Sequence, residues 1–515
     1  MRWFSSQKDK EFQKQLDSAV TPPKKGILTG CYEDDVAYLK TAFENDDLMV
    51  FRELNTGAKE DIRVCLMFCD GLVKEETIDN HLIRPLTELE SIPAGETPAD
   101  AFLSKVFQVG GVKKTRDFKE IVLGLTYGDT LLLLDGFEEA LLFSTKSFNT
   151  RSITEPEGEK VLSGPREGFT EVMMTNLSLV RRRLRTNHLK MRYYQVGSRT
   201  NTQLCIAYLE GIADPEVLEE LYRRLAKIDI DAVLDANYIN ELIRDKPLSP
   251  FPSTGYTERP DVVAAKLLEG RVAVFVDGTP VVLTLPYLFI ENFQSNEDYY
   301  QNFYFASFAR FIRILGFLLT TLTPAFYISV VSYHQEMLPA PLLFSIAAAR
   351  QSVPLPAALE AFMMLIAFEI LRETAMRLQT NVGQALSIVG ALVVGQAVVE
   401  AKLVAAPMII IVALVGITSL LVPKMNTPIL VIRFGTLLLA SGLGFLGVIV
   451  GFALTLAHTL TLYSFGVWQL GLSEKLKGQN VKDTAVRAPW WRMLLRPEPL
   501  THNTVRQKKR PEADQ

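Results

Sequence analysis

FEILRETAMRLQTNVGQALSIVGALVVGQAVVEAK, residues 368–402, decides how this chain reads. A cluster of charges, Glu369, Arg372, Glu373 and Arg377, closes one apolar helix, and a second apolar stretch follows at once. From Gln384 to Ala401 there are 18 residues, which as a helix rise ~27 Å, close to the ~30 Å of a bilayer core. A helix that met only lipid would have no use for Gln384, Ser387, Gln396 and Glu400, since polar groups in hydrocarbon need partners. The stretch predicts a membrane helix that contacts something inside the membrane.

Along it, Gly383, Ser387, Gly390, Val394, Ala397 and Ala401 recur at alternating spacings of four and three. That is a heptad seam of small residues, which lets backbones approach closely. One reading is a tight helix-packing face; another is a pore-lining helix in a ring of subunits. The two are compatible where adjacent faces of one helix pack and line. The candidate pore or packing residues are Gln384, Ser387, Gly390, Val394, Gly395 and Val398, with Val394 or Val398 as an apolar constriction.

Moving outward, charges become sparse from Phe311 to about Phe465, and this part predicts a polytopic all-α membrane domain (303–465). Phe303, Tyr304, Phe305 and Phe308 with Arg310 and Arg313 read as an interfacial approach with basic anchors. The expected spans are Phe311–Val331, which tolerates Pro324, Pro356–Leu371, 384–401 and Leu403–Val422. Leu342–Ala349 is too short to span and reads as re-entrant or interfacial, and residues 372–382 as an inner turn. Ile429–Phe465 is too long for one helix and breaks at Gly442–Gly444, giving a bent pair or a re-entrant segment. The tail 466–515 carries ten Lys/Arg against five Asp/Glu, so it and the N-terminus are placed in the cytoplasm.

Charges within apolar helices carry more information, since each costs roughly 2.5–3.5 kcal/mol near a helix centre on insertion scales. Glu360 and Arg433 are therefore expected to have partners. Glu369 and Arg372 are three apart, and Glu373 and Arg377 four apart with the acid first, the favoured order for an ion pair along a helix. With Glu360 and Arg433 these form a candidate charge network, either bracing the turn or serving a gate or ion path.

The first 300 residues of the 515 are charged and mixed, with no apolar run near spanning length. They predict a mixed α/β cytoplasmic region of two subdomains (31–155 and 160–295) behind a flexible leader (1–30). No apolar core marks the first residues as a cleaved signal peptide. RVCLMFCDG (63–71) reads as a strand, and Asp135-Gly136 and Asp277-Gly278 each read as two-residue hairpin turns. A Pro- and charge-rich stretch at 153–168 separates the subdomains. The helix Thr170–Arg185 ends in RRRLR, read as a solvated cationic C-terminus, and Arg259 reads as a surface ion-pair group. Cys65 and Cys69 fall on one strand face and read as reduced buried thiols.

The net charge of −4 gives no sign of nucleic-acid binding. No P-loop, dinucleotide fingerprint, nucleophile elbow or HExxH occurs, and the five histidines are scattered. The expectation is a protein that is not an enzyme and takes no cofactor or metal.

Ordered motifs along the chain then point to a family: PREGF (165–169), NLSLVRRRLR (176–185), TERPD (257–261), LLEGRVAVFVDGTPVVLTLP (267–286) and EDYY (297–300). In the apolar part they continue as SYHQEMLPAPLL (332–343), FEILRETAMRLQ (368–379) and GQALSIVGALVVGQAVVEA (383–401). The chain resembles the A subunits of spore germinant receptors, the GerA family of endospore-forming Firmicutes, from about residue 45 to 500. It departs from that pattern at Gln379, where the family has proline, and at GVWQLGL (466–472). The resemblance implies an inner spore membrane protein working with a transporter-like B subunit and a lipoprotein C subunit. It also implies a homo-oligomer that forms or gates a cation pathway triggering germination. An accessory ion channel of the stage V sporulation protein AF type is the nearest alternative identity, and a non-conducting scaffold for the B and C subunits the nearest alternative role.

Overall fold

Along RVCLMFC every residue from Val64 to Cys69 is buried, which a strand covered on both faces requires. In the computed structural model this is β2 (Arg63–Cys69), the second strand of a five-stranded antiparallel sheet. The structure describes residues 26–56, 62–88, 111–147, 156, 158–161, 163–377, 395–470, 483–484, 486–497, 500–501, 503 and 505–506, with main chain alone at 375–377.

The first sheet is built in the order α1 (Tyr32–Ala42), β1 (Met49–Asn55), β2, a helical stretch α2 (75–87), β3 (Val112–Thr115), α3 (Phe118–Leu125), β4 (Asp129–Leu134) and β5 (Ala140–Ser144). A second follows as α4 (Met173–Arg183), β6 (Leu189–Val196), β7 (Thr202–Leu209), α5 (Pro215–Leu225), α6 (Ala236–Leu242), β8 (Gly255–Thr257), α7 (Pro260–Leu268), β9 (Val272–Val276) and β10 (Val282–Leu285). The strand orders are β1-β2-β4-β5-β3 and β6-β7-β9-β10-β8. They are one pattern used twice, every pairing antiparallel.

Alternation along the central strands assigns the layers, because successive side chains point to opposite faces. Cys65, Met67 and Cys69 face a core shared with Cys205, Ala207, Ala273 and Phe275 of the second sheet, and α1, α3, α4 and α7 fill the space between. Val64, Leu66 and Phe68 face α2 on one outside, while Leu204, Ile206, Val272 and Val274 face α5 and α6 on the other. The two sheets thus hold one central layer of helices between them.

Both Asp-Gly pairs lie in hairpins, but each opens a five-residue connection rather than a two-residue turn. At the second the atoms that would close a tight turn are engaged elsewhere: Asp277 accepts from the Met173 amide at 3.2 Å and the Gly278 amide donates to Glu171 at 2.9 Å.

The helical region comprises α8 (Phe303–Ser332), α9 (Ala340–Arg350), α10 (Ala357–Arg377), α11 (Ala406–Ser419), α12 (Asn426–Leu443) and α13 (Phe445–Leu460). α8 runs ~45 Å unbroken through Pro324 and packs against α11, α12 and α13. Thr320 and Thr418 hydroxyls meet at 2.7 Å, and Thr436 donates to the Thr321 carbonyl at 3.3 Å. Gly444, at φ +59°, turns α12 back into α13, so the long apolar stretch is a helical hairpin.

Two segments, Phe303–Ser332 and Pro423–Leu443, are long and apolar enough to cross a bilayer among the described residues. The expected span Leu403–Val422 yields only the 14 residues of α11. Leu403–Ala405 form the loop that follows Lys402, at φ +55°, and Leu420–Val422 the turn after α11. The expected inner turn at 372–382 is also different: α10 continues helical through Arg377.

Candidate functional site

Glu360, with its side chain wholly buried, ties three helices together. It stands 3.1 Å from the Arg350 guanidinium at the end of α9 and accepts from the Ala405 amide at 3.1 Å, just before α11. A carboxylate at a helix N-terminus meets unpaired N–H groups and the positive end of the helix dipole.

Further along α10, Glu369 accepts from two guanidiniums. Arg372 stands at 2.5 Å, three residues on, as the spacing predicted. Arg433 of α12, fully buried, takes the other oxygen and lies over the Phe434 ring, 5.4 Å from its centre. Among the described residues Arg433 Nε and Nη1 have no hydrogen-bond partner. Sequence spacing missed the Arg433–Glu369 pair because its partners are 64 residues apart. Next to it an open groove of about 360 Å³ is lined by Ile366, Glu369, Ile370, Glu373, Leu430 and Phe434. Glu373 is exposed there, one turn from Glu369. The Arg377 side chain lies outside the described residues.

Of the candidate pore or packing helix, Gln384, Ser387, Gly390 and Val394 lie outside the described residues. Residues 395–400 are helical. Val398 packs against the core formed by Ala361, Leu365 and Met408, and a side chain at Gly395 would stand 3.9 Å from Ile409. Gln396 and Glu400 are exposed.

The base of the helical region is locked to the sheets by charges that the sequence reading assigned elsewhere. Arg310 does not anchor at a surface: it is fully buried, donating to Asp298 and to Asp483, both at 2.8 Å. Arg313 also donates to Asp298, at 2.9 Å, and Tyr299 donates to Asp483 at 2.8 Å. The EDYY motif is therefore the seat of the first long helix. At the far end of the hairpin Ser249 and His458 meet at 2.9 Å, Lys246 donates to Thr461 at 2.8 Å, and the Phe465 amide donates to Asp245 at 3.0 Å. Of the segment GVWQLGL, residues 466–470 are described, and Gln469 donates to the Pro252 carbonyl at 3.0 Å.

The tail is fastened at the turn between α7 and β9. Arg496 donates to the Leu268 carbonyl at 2.6 Å, and Arg506 reaches Glu269 at 2.6 Å. Burial works to raise the Glu269 carboxyl, but Arg271, Lys266 and Arg506 together bring it down to about 2.

Two arginines are corrections to the sequence reading. Arg181, within RRRLR, is not at a solvated end: it is fully buried, donating to Asp46 at 2.6 Å and to the Leu189 carbonyl at 3.0 Å. Arg259 is no surface group either: fully buried, it donates to the Glu159 carbonyl at 3.2 Å and to Asp261 at 3.1 Å. Among the described residues no three His, Cys, Asp or Glu side chains are grouped to hold a metal.

Residues 37–499 match the family model of the Bacillus/Clostridium GerA spore germination protein. The chain is 41% identical to spore germination protein KA of Bacillus subtilis over 94% of its own length and 90% of that protein's. It is 39% identical to the membrane protein YfkQ of the same organism, over 95% and 93% of the two lengths. A crystal structure of the N-terminal domain of the A subunit of the Bacillus megaterium spore germinant receptor GerK3 is 31% identical, with a TM-score of 0.40, covering 51% of this chain and 97% of that one.

Proposed function

The chain belongs to the Bacillus/Clostridium GerA family of spore germination proteins, and on that premise we propose that it is the A subunit of a nutrient germinant receptor whose helical region forms or gates a cation pathway. It sits in the inner spore membrane, both termini cytoplasmic, and assembles as a homo-oligomer with a transporter-like B subunit and a lipoprotein C subunit. A relative of 39% identity is called a membrane protein, and two helices here have the length and apolarity to span.

The observation that carries the conducting role is Glu373 exposed at an open groove beside the cluster of buried Arg433 with half-buried Glu369 and Arg372. Rings of carboxylates select cations in pores. A groove open along one chain becomes such a ring when copies assemble around it. The helix 384–401 lines or abuts that path, with Val394 or Val398 as the constriction; the packing of Val398 within its own chain favours Val394.

The test is potassium efflux from cells expressing the chain, with oligomers checked by crosslinking. Val394→Ala is expected to raise basal leakage, and Glu373→Gln to lower it several-fold. Unchanged efflux in both variants, with oligomers present, moves the role to a non-conducting scaffold.

A further inference from the structure

Pro247-Leu248-Ser249-Pro250 belongs by sequence to the α/β part, between α6 and β8, yet it meets the helical region. On one side of Leu248 the Lys246 ammonium donates to Thr461 at 2.8 Å; on the other the Ser249 hydroxyl meets His458 at 2.9 Å. Both contacts hold this tip against the last turn of α13 and the residue after it. Leu248 itself is 100% exposed.

The depth of the tip is set by α8. Phe251, which follows it, shares one apolar cluster with Phe293, Leu462, Ile314 and Phe317, and the Phe293 and Phe317 rings meet edge-on, 5.7 Å apart. Ile314 and Phe317 lie within the segment long and apolar enough to span, Phe303–Ser332, about three turns or more above its start. Below them Tyr304, Phe308 and Phe311 are exposed. The length of α13 leads to the same depth. Its 16 residues rise ~24 Å, short of the ~30 Å of hydrocarbon, so a bilayer that covers the hairpin from Gly444 reaches past Leu460 to the tip.

A lone exposed leucine on a surface facing water requires nothing. Leu248 instead continues an apolar surface. Leu454, His458 and Thr461 are four and three residues apart and share one face of α13, so exposed Leu454 stands above the two residues that hold the tip. Just past α13, Tyr463 and exposed Trp468 pair their rings 4.2 Å apart, and such amphipathic rings favour the headgroup level.

We infer that residues 247–250 are a lipid-binding foot of the α/β part, with Leu248 among the acyl chains of the nearer leaflet. Lys246, beside Thr461, sends its ammonium toward the phosphates, as long basic side chains do at an interface. The foot presupposes the membrane placement proposed above and stands whether or not the helices conduct.

The test uses the full chain in liposomes of phosphatidylethanolamine and phosphatidylglycerol, with a nitroxide at Leu248→Cys, Leu454→Cys or Leu234→Cys in a Cys31→Ser background. Relaxation by oxygen, which concentrates among acyl chains, is compared with relaxation by a nickel chelate confined to water. Leu454 reports the helices; Leu234, 65% exposed and at the opposite end of α6 from the tip, reports the α/β surface. All three side chains are exposed, so the melting temperature should be unchanged. The oxygen-to-nickel ratio at Leu248 is expected to exceed that at Leu234 several-fold and to approach that at Leu454. A ratio at Leu248 as low as at Leu234, with a high one at Leu454, overturns the foot alone. Low ratios at all three overturn the membrane placement and the foot with it. A Leu248 label hidden from both reagents, with dimers crosslinked through Leu248→Cys, gives the tip to a second copy of the chain and overturns its contact with lipid.

Discussion

Arg181 and Asp46 carry two formal charges into the shared core with no side-chain surface left exposed. Removing one partner of such a pair leaves the other desolvated and costs ~3–5 kcal/mol, whereas replacing both with apolar groups is often neutral. Arg181→Met is therefore expected to lower the melting temperature of the detergent-purified chain sharply, and Arg181→Met with Asp46→Leu to recover most of it. A single variant as stable as the native chain overturns the pair's role. Cysteines divide the same way: burial pushes the Cys65 thiol up to about 11 and Cys69 to about 12, while Cys31 is exposed. A thiolate is the reacting species, so a maleimide near neutral pH should label Cys31 in the native chain and all four cysteines only in denaturant. Fast labelling of Cys65 without denaturant contradicts that burial. The spacing of Cys65 and Cys69 made their shared face legible; nothing local distinguishes Arg181 from Arg182, since burial of a charge is set by a partner 135 residues away.

At the scale of elements, small residues decide where helices touch. The α12–α13 hairpin closes at Gly444 and packs through Gly451, where a Cβ would lie 2.6 Å from the Thr436 methyl. Overpacking a tight contact costs ~1–3 kcal/mol, and a leucine here meets a neighbouring helix that is itself hydrogen-bonded to α8 through Thr436. Gly451→Leu is expected to lower the melting temperature by several degrees, whereas Gly435→Leu, with open space around its position, is not. Equal effects of the two remove the packing explanation. A break near Gly442–Gly444 is plain in the sequence, but whether it bends one helix or reverses the chain depends on which faces pack. The contacts of Tyr333 with Ser441 and of Ser249 with His458 show reversal.

On the scale of the whole molecule, the tail closes the structure by returning from the helical hairpin to the second sheet. Glu269 is its charged fastening, with a carboxyl brought from 4.5 down to about 2. A depressed folded value stabilises above the unfolded one and is lost as pH falls through the folded one. Attachment of the tail should then be constant above ~pH 5 and weaken from there toward pH 2. Tryptophan fluorescence, to which Trp490 and Trp491 contribute, reads this directly; Arg506→Ala should move the loss to higher pH. An unshifted transition contradicts the role of the Arg506–Glu269 pair. The doubled strand order also belongs to this scale: the recurrence of Asp-Gly in both halves hints at it, yet the repeat lies in strand order rather than in residues, so it shows only once pairing is known.

By itself the sequence determined the division into a charged α/β part and an apolar helical part, most strands, and that Glu360 and Arg433 need partners. These follow from local periodicity and from the cost of an unpaired charge in an apolar helix. Only the tertiary structure decided which partners those charges take, that RRRLR and TERPD send arginines into the core, and that the sheets, the long helices and the tail meet at Asp298 and Asp483. Each joins groups far apart in the chain, and a pairing at long separation leaves no periodic trace in the residues that make it.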